Sequence, residues 1–129
     1  MVKLGNHYRS TASTQERKEV RRFYSDVLGC EMLCADGVTS GIPENIDLFL
    51  FGNDQVFGIE YSENDIECLS LAQHRQACWL ELKTENIDAL KNQCLDNGAM
   101  EITDYWDKGH FYFHAPGGQV FRIVDEDKT

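Results

Sequence analysis

His110-Phe111-Tyr112-Phe113-His114, then Ala115-Pro116-Gly117-Gly118, then Gln119-Val120-Phe121-Arg122-Ile123-Val124, is the stretch on which the fold turns. Two alternating segments joined by Pro-Gly-Gly predict a β-hairpin, because proline presets φ and glycine takes the positive φ of a tight turn. Side chains alternate with a period of two, so Phe111 and Phe113 share a face with Phe121 and Ile123. His110, Tyr112, His114 and Arg122 take the other face. One face reads as core and the other carries chemistry.

Upstream of the hairpin the pattern reads as a strand over Ala77 to Lys83, then a helix from Thr84 or Asn86 using Ile87, Leu90 and Cys94. Asn97-Gly98 stops that helix, and a strand over Met100 to Trp106 leads back to the hairpin. The first half repeats the order. Val2 to Arg9 predicts a strand, ending in the polar run Ser10 to Ser13. Ser13 and Glu16 form a capping box, and Val20, Phe23, Tyr24, Val27 and Leu28 follow helical spacing up to Gly29. Strands over Cys30 to Ala35, Ile46 to Phe51 and Gln55 to Tyr61 follow, with Asp36 to Asn45 as a loop and Gly52-Asn53-Asp54 as a turn. The chain therefore reads as a single α+β domain of two βαβββ modules. Module one spans about 1-62, an acidic, aperiodic connection 63-76, and module two about 77-129.

The hairpin, with Arg22-Phe23-Tyr24-Ser25-Asp26-Val27-Leu28-Gly29 and the run from Ile87-Asp88-Ala89-Leu90 to Asp96-Asn97-Gly98, resembles the vicinal oxygen chelate superfamily: glyoxalase I, bleomycin-resistance proteins and extradiol dioxygenases. The resemblance covers nearly the whole chain. It implies that the two modules form an open, curled mixed sheet around a cleft, with the helices on the outer face, and that the protein is a homodimer. It also implies a metal site with one ligand from the first and fourth strand of each module, two histidines and two glutamates as a rule. Carried over by position, these fall on His7, Glu60, Trp79 and Arg122. Trp offers only an N–H donor and Arg stays cationic, so no cofactor is expected, the alternative being a divalent metal. His110 and His114 do not rebuild the site: four residues of strand separate them by ~13 Å, whereas both nitrogens of a chelating pair lie about 2 Å from the metal. Cys30 and Cys34 fail in the same way.

Composition narrows the function. Twelve basic residues against 22 acidic ones give a formal charge of −10, which repels a phosphate backbone and anionic lipid alike. Nucleic acid and membrane are not expected as partners. No apolar run reaches the roughly 18 residues that span a bilayer, and the start does not look like a signal peptide. The five cysteines are odd in number and unclustered, which suits reduced thiols and a cytoplasmic location.

On the polar face Arg122 and Arg9 are candidate anion receptors, Arg122 having an internal ion pair with Glu60 as its alternative role. Trp79 and Tyr112 offer stacking surface for a flat ligand, or plain packing; Tyr105 and Trp106 are further members of that group, and His114 stands beside Tyr112. His7 and Glu60 are the candidate catalytic or orienting pair, since imidazole titrates near neutrality. His74 and His110, near strand ends, are read as solvated. These residues favour a metal-independent, bleomycin-resistance-like binder of a small anionic or aromatic-anionic molecule. The alternatives are a glyoxalase- or dioxygenase-type enzyme and a surface-interaction protein whose cleft is filled by its own side chains.

Overall fold

The structure is a computed structural model that describes residues 1–35, 41–63 and 78–127. The chain divides into two compact units, Met1–Ile66 and Glu67–Thr129. Each carries an α+β arrangement with an unclosed four-stranded mixed sheet, as two βαβββ modules require.

In the first unit the elements are β1 (His7–Ser13), a 3-10 turn (Thr14–Glu16), α1 (Arg17–Arg22) continued by a π-helical turn (Phe23–Val27), β2 (Glu31–Cys34), β3 (Ile46–Phe51) and β4 (Gln55–Ser62). The order is β1-β4-β3-β2, with β1 parallel to β4 and the other pairs antiparallel. Val20, Phe23 and Tyr24 are 0% exposed. The Tyr24 ring stacks on Phe49 and Phe57 at 4.7 and 5.6 Å, which fixes the helix against that face of the sheet. Burying each such side chain is worth roughly 1.5–3 kcal/mol. The helix closes at Gly29, whose φ of 74° lets Cys30 N–H reach the Tyr24 carbonyl at 2.9 Å. In the three-residue turn between β3 and β4, Asn53 and Asp54 both hold positive φ (64° and 57°), a left-handed backbone that Asn and Asp tolerate.

The second unit contains β5 (Trp79–Thr84), α2 (Ile87–Asp96), β6 (Met100–Ile102), β7 (Phe111–His114) and β8 (Val120–Asp125), in the order β5-β8-β7-β6 with β5 parallel to β8. Asn86 caps α2 by accepting from Ala89 N–H at 3.0 Å. The hairpin register pairs Phe111 with Ile123, Tyr112 with Arg122 and Phe113 with Phe121, as alternation requires. Phe113, Phe121 and Ile123 form the buried face, and Lys91 of α2 lies over the Phe111 ring, placing α2 on that side.

Some boundaries differ from expectation. β1 starts at His7, not Val2, and runs through the polar stretch to Ser13, because all seven of its residues pair with β4 and Ala12 and Ser13 are buried. β6 stops at Ile102 rather than Trp106, since the chain then turns to lay Tyr105 on Tyr112 at 4.4 Å. His74, Cys68, half of the expected loop after Ala35 and most of the connection lie outside the described residues. No helix among the described residues is long and apolar enough to cross a membrane.

Candidate functional site

On the sheet face of the first unit opposite α1, β1 contributes His7 and Arg9 and β4 contributes Glu60. His7 and Arg9 are exposed, and Glu60 is half-buried. Gly58 stands directly across from Arg9 and beside Leu48: a Cβ there would crowd Leu48 Cδ2 at 3.1 Å and touch Arg9 Nε at an ordinary 3.7 Å. His7 pairs with Val56 and Glu60 with Thr11. His7 and Glu60 are therefore offset by four residues, ~13 Å along the strands, too far to hydrogen-bond or share a ligand atom.

In the second unit the site is built around Arg122. Glu81 stands directly across from it on β5 and binds Nη2 at 2.5 Å. Nη1 donates to the Tyr112 hydroxyl at 3.3 Å and lies 3.6 Å from Asp107 Oδ2. The guanidinium sits 4.3 Å over the Trp79 ring and 5.9 Å from that of Tyr112. Its Nε is buried with no hydrogen-bond partner among the described residues. Burial alone would lower the Arg122 pKa, but the hydrogen bonds that it donates to Glu81 and Tyr112 outweigh it and leave it raised. Within the second unit the carboxylates that meet Arg122 are Glu81 and Asp107. Alternation put Glu81 on the face of Trp79, but not across from Arg122.

Asp107 is the other hub, and sequence reasoning missed it. It accepts from the Tyr112 hydroxyl at 3.1 Å and from Gly109 N–H at 2.9 Å, and lies 2.7 Å from His110 Nδ1. The His110 contact is the main reason its carboxyl sits below the usual range, burial acting the other way. His110, read as solvated, is 41% exposed yet held by this carboxylate. Tyr112 is only 4% exposed, enclosed by Ile102, Val120, Trp79 and Tyr105, so it walls the site rather than offering a free stacking face. Trp79 and His114 are half-buried, while Trp106 is 91% exposed and takes no part in the core of its unit.

A second ionic cluster lies on the helix side of the first unit. Asp47 is fully buried and accepts from Arg17 Nη2, Arg21 Nε and Arg21 Nη2, each at 2.8 Å, and from the Tyr61 hydroxyl at 2.9 Å. Burial pushes its pKa up, but the hydrogen bonds from Arg21, Arg17 and Tyr61 prevail and hold it below the usual carboxylate range. Burial and the Asp47 charge push the Tyr61 hydroxyl well above its ordinary value. The signal was present: alternation puts Asp47 on the face of Phe49 and Phe51, and a buried acid demands a cation. The described cysteines 30, 34, 78 and 94 are free, and burial pushes the Cys30 and Cys94 thiols up to about 12.

The fold is one shared with solved glyoxalase-family and fosfomycin resistance proteins. No family model and no curated protein matches the chain. Solved structures do: a glyoxalase family protein from Bacillus anthracis is 20% identical, with a TM-score of 0.64 over 95% of this chain and 94% of that one. A variant of the fosfomycin resistance protein FosX from Listeria monocytogenes, complexed with Mn(II) and dihydroxypropylphosphonic acid, is 12% identical, with a TM-score of 0.64 over 95% and 90%. The antibiotic binding protein TnmS3 from Streptomyces is 14% identical, with a TM-score of 0.61 over 96% of each chain. At these identities the likeness concerns the fold.

Of the positions that the resemblance implies for metal ligands, Trp79 and Arg122 present no lone pair to a cation. In the first unit His7 and Glu60 are four residues out of register. Among the described residues no three His, Cys, Asp or Glu side chains gather in a way that would hold an ion.

Proposed function

We propose that the protein binds a small aromatic carboxylate, without a metal, on the face of the second unit's sheet opposite α2, in the manner of bleomycin-resistance-like binders. The observation that carries the reading is the Arg122 guanidinium held 4.3 Å over the Trp79 ring, with Nη2 bound by Glu81. A guanidinium fixed in this way is preorganised for bidentate contact with a ligand carboxylate. Glu81, a third exposed, occupies it when no ligand is bound. Because Glu81 and Asp107 already satisfy the charge, a bare anion gains little, and contact with the half-buried indole must supply the rest. His114 and Tyr112 wall this site; Arg9, His7 and Glu60 belong to the first unit's sheet and are not assigned to it. The TnmS3 likeness supports a binding role for the scaffold. The reading includes a cytoplasmic homodimer, supported by free thiols and by exposed Met100 and Trp106 at and near edge strand β6; light scattering tests the dimer.

Calorimetric titration of EDTA-treated protein with benzoate and acetate tests the binding. Benzoate binds saturably and more tightly than acetate, and Glu81→Gln, which removes the competing charge, tightens benzoate about tenfold, or about 1.4 kcal/mol. Unaltered affinity in Glu81→Gln would remove Arg122 from the site.

A second reading, an enzyme of glyoxalase or dioxygenase type, draws support from the Asp107–His110 contact. A carboxylate on Nδ1 fixes the ring and leaves Nε2 free to accept a proton. That reading predicts deuterium uptake from D2O at C3 of phenylpyruvate, the methylene beside its ketone, above the buffer rate, abolished in His110→Ala. Equal uptake with and without protein would count against it.

A further inference from the structure

His110, Asp107, Tyr112, Arg122 and Glu81 form one connected polar line on the second unit, and its middle is a single oxygen. Asp107 Oδ2 lies 2.7 Å from His110 Nδ1, 3.1 Å from the Tyr112 hydroxyl that donates to it and 3.6 Å from Arg122 Nη1. Its Oδ1 is taken by Gly109 N–H at 2.9 Å. Three groups thus converge on one atom, and of these an imidazole alone changes its charge near neutral pH.

The charge balance of the line depends on that ring. With His110 neutral, the carboxylates of Glu81 and Asp107 outnumber the one cation, Arg122, and an arriving carboxylate is repelled. With His110 protonated, an imidazolium sits against Asp107 closer than Nη1 does, and the charges of the line cancel. Asp107 and Arg122 are both partly buried, where salt and water screen such a charge less than on an open surface. His110 itself is exposed enough to exchange its proton with water.

The other charged or titratable groups nearby are engaged elsewhere. Lys108 donates to the Thr103 carbonyl, Tyr105 lies on the Tyr112 ring beside Asp104, and Lys91 of α2 is over Phe111 on the opposite face. His114 on β7 stands across from Val120, and Lys83 on β5 across from Val124.

We infer that His110 is a positioning residue that makes binding at Arg122 proton-dependent: its protonated ring engages Asp107 and leaves the guanidinium to a ligand carboxylate. The inference rests on the binding reading above and gives it a direction. The ligand is taken up with a proton as pH falls and released as pH rises, because affinity and protonation are coupled reciprocally.

Calorimetric titration of EDTA-treated protein with benzoate, which stays ionised throughout, tests this from about pH 8 to about pH 6. Affinity rises about fivefold over that range, and heats measured in two buffers of different ionisation enthalpy show net proton uptake. His110→Gln keeps an amide to donate to Asp107 but takes up no proton, so its affinity stays at the high-pH value of the unmutated chain and the proton uptake disappears. His7→Gln, in the first unit, keeps the full rise. Benzoate binding with a flat pH profile in the unmutated chain would overturn the inference and leave the binding reading standing, as would a rise that persists in His110→Gln. Absence of saturable binding at either pH would take down both.

Discussion

The two units are built on one βαβββ plan, yet their ion clusters are inverted copies of each other. In the first, two arginines converge on one carboxylate, Asp47, with Tyr61 as an extra donor, on the helix side of the sheet. In the second, two carboxylates converge on one arginine, Arg122, with Tyr112 bridging, on the opposite face. The centre of the first is 0% exposed, while the centre of the second is 21% exposed and its main partner 34%. A charge fully removed from water cannot lose its partners, whereas a partly hydrated one can exchange them. The first cluster thus locks a helix to a sheet, and the second can trade Glu81 for a ligand.

The largest expected effect breaks the first cluster. Asp47→Ala leaves two guanidiniums against an apolar wall and should cost about 3–5 kcal/mol in urea unfolding. Arg122→Gln, by the same measurement, should cost under about 1 kcal/mol from its exposed pairs. Similar losses in the two variants would erase the distinction.

A smaller effect follows from acid. Asp47 is depressed in the folded state, so its contribution is complete above the unfolded value of about 3.9 and is lost as pH falls through the folded pKa. Unfolding midpoints measured from pH 7 downward should stay level and then drop below about pH 4. Asp47→Asn should flatten that drop, and a drop as steep as in the unmutated chain would assign it to other carboxylates.

Most of the fold was legible because alternation and turn chemistry are local. Phe111, Phe113, Phe121 and Ile123 had to share a face once Pro116-Gly117-Gly118 set the hairpin, and the structure pairs them so. Gly29 and Gly98 marked the ends of the two helices, and both take positive φ. Strand ends were less legible: β1 gains Ser10 to Ser13 from β4, a partner about 50 residues away in sequence. The site was half legible. Arg122 and Trp79 were identified as neighbours, but counting positions could not show that Glu81 stands across from Arg122 or that β1 slides His7 opposite Val56. Asp107 sits in an irregular loop with no period to place it, and it reaches Tyr112 only because the chain folds back there.

The claim that the second cluster can exchange partners is tested most directly on Arg122 itself. In EDTA-treated, nitrogen-15-labelled protein, the Arg122 Nε–H signal, assigned by its absence from Arg122→Lys, is followed as benzoate is added. That proton has no partner among the described residues, so a carboxylate arriving at the guanidinium should move it saturably, and at lower benzoate in Glu81→Gln. A signal that stays fixed through millimolar benzoate in both proteins would mean that Arg122 is as closed as Asp47, and the binding account would fall.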